Sequence, residues 1–505
     1  MIRISHGAIA IALAPALLTT TALPSLAQED RAITIVLPER PATLEPCQTL
    51  YSNIGRVLNQ NVTETLTYLN LANGSVEPQL ATSWEQVDEL TWRFVLREGV
   101  TFHDGAPFDA EAVAASIARQ MGDGITCDNN VKLGGVQLET NVVDPSTVEI
   151  ITGEPLPILP QLLNLVMITS PNTPTDSLIN DPVGTGPYSL TSSSPETIVL
   201  DRFADYWGEA PAVEQATYVW RTESALRAAM VQTGEADLTP DIAIQDATTE
   251  ATDFGYLNSE TTRMRINTEA APLDDVRVRR ALNLAIDWEG LGGLFGPDVL
   301  RAAQLVVPDI NGFNPEIEAL AYDPEEATAL LEAARADGAP LDTPLRIIAR
   351  NGIYPNGNEA MEAMMAMWQG VGLNVELTVL DVAAWREYEN KPFPADLGPM
   401  FLQQQHNNIS GDAFSTAFLM YHSDGPTSAI SVPEVDALID QAGDASGDER
   451  TQLLQQAFAM VHDEIVADIP MFHMFSYARV SEELDWRPTL ATNSEIPLAD
   501  IAFAD

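Results

Sequence analysis

Apolar and polar positions along this chain alternate between two periods, and the changes of period mark out strands and helices in turn. Strands are predicted at 32–37 (AITIVL), in the ETLTYL run of 64–69, and at 147–151, 197–200 and 217–220. Further strands are predicted at 264–267, 345–349 and 373–380. These runs are short, rich in β-branched residues or alternating, and bounded by turn formers. Trp92, Phe94 and Leu96 alternate with Arg93, Val95 and Arg97, which gives a strand with one apolar face. His103, Asp104 and Gly105 then predict a turn, and Asp109 is placed to cap a helix that buries Ala110, Val113 and Ile117. Helical spacing recurs at 221–233, with Leu226, Met230 and Val231 on one face, and at 276–288, 324–336 and 359–369. Between apolar runs, 403–412 (QQQHNNISGD) is expected to be a polar loop. Strands alternating with helices imply an α/β protein with mixed sheets.

The first 27 residues have the form of a secretory signal peptide: Arg3, an apolar stretch at 8–18, and Ser25-Leu26-Ala27 as a small-x-small cleavage site. Pro15 and Pro24 interrupt the apolar run, which is too short to span a membrane. No cysteine follows it closely, so a chain starting at Gln28, free in the periplasm and without a lipid anchor, is expected. The remaining length suits about three domains. Cys47 and Cys127 are the two cysteines, and an even count in an oxidising compartment predicts that they pair.

Charge then narrows the partners. Lys and Arg total 25 against 73 Asp and Glu, for a net charge of −48. Such a chain repels phosphates, which argues against nucleic acid and anionic membrane surfaces. The acidity suits either a salty medium or a bias towards cationic solutes. Catalytic patterns are lacking. His462-Asp463-Glu464 is not HExxH, there is no G-x-S-x-G elbow, and Gly184-Thr185-Gly186 lacks a dinucleotide fingerprint's third glycine. Asp274 and Asp275 open a helix beside Arg277 and Arg279, a place where acids serve the helix dipole. No histidine stands at metal-ligand spacing from another His or Cys. Neither an enzyme nor a cofactor is expected.

One string is far more specific. Residues 76–116 read VEPQLATSWEQVDELTWRFVLREGVTFHDGAPFDAEAVAAS. This segment resembles the dipeptide-, oligopeptide- and nickel-binding type of extracytoplasmic solute-binding protein, family 5, which serves ABC importers. The resemblance continues through PVGTGPY at 182–188, DYWG at 205–208, GEADL at 234–238, PLDDVRVRRALNLAID at 272–287 and YDPEEA at 322–327. It implies a two-lobed periplasmic binding protein fold of type II, in the large cluster C-like class. By that analogy lobe I holds 28–263, including an extra subdomain at about 50–180, and 476–505 return to it. Lobe II holds 264–475. The chain crossings would lie at Arg265 and Asn267, and again at Ser476 and Tyr477.

The same resemblance implies capture of short peptides or related amine- and carboxylate-bearing solutes, delivered by a monomer to the permease subunits in the inner membrane. Opines, oligosaccharides, and nickel or haem complexes occur as ligands in the family, and a chaperone or receptor-partner role is the further alternative. Site residues follow by position. Asp412 matches an aspartate that pairs with a ligand amine, or else caps the helix after it. Arg350 falls where relatives face the ligand carboxylate, with Tyr354 in the same loop. Trp385 would wall the pocket. His406, Asn407 and Asn408 lie in the polar segment, and Tyr51 and Asn53 would supply the lobe I side.

Overall fold

The computed structural model describes residues 31–504, apart from 50–51, 72–74, 132, 134–135, 297, 309, 355, 396 and 409. The signal-peptide segment and Tyr51 therefore lie outside the described residues. The fold is a two-lobed α/β arrangement built on one 11-stranded mixed sheet. In spatial order the main path runs Val375–Leu380, Leu345–Arg350, Met400–Asn407, Asp253–Ile266, Asp468–Val480, Leu238–Ile242, Ala32–Leu37, Gln215–Trp220, Ile198–Arg202 and Tyr188–Ser193. The two long strands in the middle, Asp253–Ile266 and Asp468–Val480, pair antiparallel with each other and carry the sheet from one lobe to the other.

Each half has its own apolar core. Around the first strand, Ile33, Ile35 and Leu37 pack with Tyr188, Leu200, Tyr218 and Ile496. Beyond the long strands, Met264 and Ile266 pack with Leu282, Ile347, Trp368 and Phe401. A four-stranded antiparallel sheet, ordered Ala81–Asp88, Thr91–Leu96, Thr147–Thr152, Leu138–Asp144, forms a third unit. Its core joins Phe94, Val148 and Ile150 to Val113 and Ile117 of the helix Ala110–Met121. Asp109 caps that helix, accepting a 3.0 Å hydrogen bond from the Ala112 amide. The PVGTGPY turn lies flat on residues 61–63. A Cβ on Gly184 would stand 2.0 Å from the Val62 carbonyl oxygen, so the approach excludes any larger residue. Cys47 and Cys127 are joined by a disulfide.

Four local expectations need correction. The strand placed at 264–267 is the end of a 14-residue strand, Asp253–Ile266. Its first residues pair with Asp468–Val480 alone, and from Glu260 on the strand Met400–Asn407 joins on the other side, which outweighs the weak apolar patterning of the Asn-Ser-Glu-Thr-Thr run. The first half of the polar stretch at 403–412 belongs to a strand, Met400–Asn407, in which Gln403–Asn407 pair with Glu260–Met264. Leu226 is 44% exposed. Arg227 takes the inward position of its helix, donating to the carbonyls of Arg221, Thr222 and Asp241. The helix expected over 276–288 stops at Leu284, and Asp287 caps a separate short helix, Trp288–Gly292.

Candidate functional site

The register of the two long strands shifts twice, between Leu257 and Thr261 and again between Thr261 and Arg263. Leu257 pairs with Phe475 and Thr261 with His473, so Asn258, Ser259 and Glu260 face Met474 alone. Ser259 adopts φ 62°, a left-handed conformation that costs a β-strand residue energy and persists only where its surroundings enforce it. Those surroundings are visible. Asn258 donates to the Ser476 hydroxyl at 2.8 Å and accepts the Glu260 amide at 3.1 Å, and Ser259 accepts the Asn408 amide at 3.0 Å. The bulge bends the strand and sets Glu260 at the floor of an interlobe cleft of about 560 Å³.

One wall of the cleft comes from the segment after the first strand, from the helix Ser52–Leu58 and from the strand Leu238–Ile242. It presents Asn53, Arg56 and Asp241. Arg56 is buried and held in place, donating to Asn53 Oδ1 and to the Thr492 carbonyl, both at 3.0 Å. The opposite wall presents Arg350 from the end of Leu345–Arg350, with Tyr354, Phe295 and Gln405. Phe295 and Tyr354 meet edge to face at 5.8 Å, as do Phe475 and Tyr477 at 5.6 Å, so aromatic surface borders the polar floor.

The charges in the cleft are only partly satisfied. Glu260 accepts hydrogen bonds from the side-chain amides of Gln405 and Asn493, and keeps part of its surface open to the cavity. Burial deep in the molecule pushes its carboxyl up to about 7, and the nearby Asp241 charge adds to the rise, while Asn493, Arg56 and Arg350 oppose it. Burial also lowers the pKa of Arg350. Its guanidinium stands 5.3 Å from the centroid of the Trp385 ring, a cation–π distance. Among the described residues, no carboxylate makes a salt bridge with Arg350.

The sequence-predicted residues divide between the cleft and the interior. Arg350, Tyr354, Asn53, Ser476 and Tyr477 line the cleft. Trp385 is buried beneath Arg350, its indole nitrogen donating to the Gln403 carbonyl at 3.1 Å, so it supports the arginine and does not wall the cavity. His406 Nε2 lies 2.7 Å from the Thr416 hydroxyl, and Asn408 bonds to the Val307 amide and to Thr416. Neither these two nor Asn407 borders the cleft. Asp412, 1% exposed, is also absent from it. Its carboxylate accepts two bonds from Arg450, at 2.9 and 3.0 Å, one from Asn311 at 2.7 Å and one from the Phe414 amide at 2.8 Å. The bond to the Phe414 amide holds the turn before the helix Phe414–Tyr421, and Arg450 is the counter-ion of Asp412.

Arg265 and Asn267 are likewise interior. Arg265 donates to the carbonyls of Tyr388, Glu389 and Thr427, and Asn267 to that of Gly398 at 2.7 Å. The register shift with the left-handed Ser259 lies several residues earlier, at Asn258–Glu260. Glu260, Gln405, Asp241 and Arg56 were missed by sequence reasoning. The one available signal was an acid inside a strand-like polar run, NSETT. Among the described residues, no group of three or more His, Cys, Asp or Glu is arranged to hold a metal ion, and no helix is long and apolar enough to cross a membrane.

Comparison with known proteins agrees with this architecture. The chain is 29% identical over 362 residues to the nickel-binding periplasmic protein of Escherichia coli, covering 63% of this chain and 67% of that one. It is 26% identical over 444 residues to the dipeptide-binding protein of the same organism, covering 80% and 82%. The crystal structure of NikA from Brucella suis in complex with Fe(III)-EDTA superposes with a TM-score of 0.79 at 26% identity, over 94% of this chain and all of the other. The model of the bacterial extracellular solute-binding proteins, family 5, matches residues 75–425. With that match over most of its length, and a bent two-strand crossing above a polar cleft, the chain belongs to the bacterial extracellular solute-binding proteins of family 5.

Proposed function

We propose that this protein captures a small solute between its two lobes in the periplasm and hands it to the permease of an ABC importer, without making or breaking a bond. The lobes are taken as 28–263 with the 476–505 return, and 264–475, and the mature chain as a monomer released by its signal peptide without a lipid anchor. The single observation that carries the reading is the cleft itself. Its volume of about 560 Å³ falls in the range of small-molecule sites, and it is lined from both walls by polar groups set among aromatic surface. Arg350 supplies a guanidinium for a ligand carboxylate, held by Trp385 from below. Relatives named for dipeptide and nickel bind differently charged ligands, so kinship does not choose between them. Among these, short peptides and other amine- and carboxylate-bearing solutes suit a cleft with both signs of charge.

Closure follows from the same geometry. The lobes are linked through the bulged strand pair, and a solute touching both walls binds the closed state better than the open one, which is what shifts the equilibrium. The test is thermal melting of ligand-stripped protein against dipeptides, oligopeptides, opines, oligosaccharides and nickel complexes. A true ligand at a hundred times its Kd adds about 2.7 kcal/mol and raises the midpoint by a readable amount. If no compound moves the midpoint and unfolded chains bind, a chaperone role replaces this one.

A further inference from the structure

A second cavity, of about 290 Å³, lies where the four-stranded unit meets the helices Phe414–Tyr421 and Pro433–Asp444, and no residue borders both it and the interlobe cleft. One wall follows the strand Thr147–Thr152 and presents Leu156, Ile158 and Leu162 from the core of that unit. The facing wall carries Phe414 and Phe418, one helical turn apart, half-buried, with ring centroids 6.2 Å apart and planes 25° from parallel. The seam beside the cavity is tight. Gln161 Nε2 donates to the Ser410 carbonyl at 2.9 Å, and a Cβ on Gly411 would stand 2.6 Å from Leu69 Cδ2. The cavity thus opens beside a direct contact between two separately built parts of the chain.

Its polar neighbours are satisfied from within. Ser410 and Ser415 share a hydrogen bond at 2.9 Å, and Asp412 is filled by Arg450, Asn311 and the Phe414 amide. Arg450 stands 4.9 Å from the Phe414 centroid with its charge met by Asp412. The unmet charge stands at the rim, where Glu154 is exposed on one wall and Asp440 and Asp444 on the other. Among the described residues that line the cavity, none is basic. Glu154 and Asp444 make no salt bridge among the described residues, and Asp440 has the His422 ring at 3.2 Å.

Aromatic and aliphatic surface lining a water-filled recess favours an apolar guest of matching size. Acids at its rim repel an anion and attract a cation, and an aromatic ring adds to that attraction. A bare metal ion is a poor match, because no three acids among the described residues come together to hold one. The positive guest must therefore be an extended one. We propose that this cavity is a second binding site, separate from the interlobe cleft, for an organic cation with a ring-sized apolar body. The body packs between Phe418 and the Ile158–Leu162 wall, and the positive head lies at the acidic rim. A guest touching both walls binds them better together than apart, so it ties the four-stranded unit to the helices opposite.

The test is a ligand-observed NMR titration of the full mature chain with benzyltrimethylammonium. N-Benzylacetamide and phenylmethanesulfonate serve as its neutral and anionic counterparts. The cation is expected to saturate, with the neutral compound about fivefold weaker and the anion weaker still. Phe418→Ala is expected to weaken the cation about tenfold. Asp440→Asn combined with Asp444→Asn, both on the exposed rim, should weaken it about fivefold and remove most of its salt dependence. Glu260→Gln and Arg350→Met should leave it unchanged, because they alter the other cleft. The inference is overturned if the cation does not saturate or if the three probes bind alike. It is also overturned if Glu260→Gln weakens the cation while Phe418→Ala and the paired aspartate variant do not. If Phe418→Ala fails to fold, the aspartate pair decides alone. A melting screen in which nothing binds the interlobe cleft would remove the solute-binding role and leave this site standing.

Discussion

Asp412 and Glu260 are both acids set in polar strands or turns of one sheet system, yet the protein uses them in opposite ways. Asp412 has a bidentate arginine, an asparagine and a backbone amide, so its bonding capacity is filled from within. Glu260 has two amides, an acid for a neighbour and an open side towards the cavity. A filled carboxylate holds a fold together, whereas an unfilled one is ready for something that arrives. The difference lies not in the residue type but in what the surrounding elements bring within reach.

That contrast can be broken first at Arg450. Arg450→Met leaves Asp412 buried without its counter-ion, and the expected loss is about 3–5 kcal/mol of stability, read as a fall in the denaturant midpoint. Arg350→Met removes a partly exposed cation with no internal salt bridge, so it should change stability by no more than about 1 kcal/mol while abolishing the melting shift from carboxylate ligands. Equal stability losses in the two variants would show that Arg350 is as structural as Arg450.

A pH series sharpens the same contrast. The groups facing Glu260 are Arg56, Asp241 and Arg350, with the Gln405 and Asn493 amides. Its carboxyl is pushed up to about 7, so it gains its charge between pH 6 and pH 8. Affinity for a guanidinium or quaternary-ammonium solute is therefore expected to be about tenfold weaker at pH 6 than at pH 8, and this slope should vanish in Glu260→Gln. A smaller effect has the opposite sense. A carboxyl raised in the folded state stabilises the fold while protonated, and that contribution is lost as pH climbs from the unfolded value through about 7. Ligand-free Glu260→Gln should then gain a little on the wild type between pH 5 and pH 8, measured as the difference in melting midpoint.

Much of the scaffold was legible in the sequence because alternation and capping are local. The strand at 32–37, the capped helix after Asp109 and the helix at 324–336 need only their own residues to be read. The long strand Asp253–Ile266 was not legible, because its polar half is strand only by virtue of two partners distant in sequence. The site divided for the same reason. Arg350 and Tyr354 sit next to a recognisable strand end, and the resemblance to the family assigned them to the cleft they line. Asp412 had the right chemistry, but Arg450, which occupies it, is 38 residues away in the chain. Glu260 depends on a register break, and a register break belongs to two strands, not to one sequence segment.

The stacking of Arg350 on Trp385 has an optical consequence. The indole is buried, bonded through its nitrogen to Gln403 and faced by a positive charge, so its emission responds to the field of that charge. A carboxylate arriving at Arg350 would neutralise part of the field without touching the ring. Trp385 is thus a built-in fluorophore for any anion that reaches Arg350, one of eight tryptophans in the chain and the one facing that guanidinium. Replacing it with phenylalanine would keep the apolar support under the arginine and identify its share of the signal by difference.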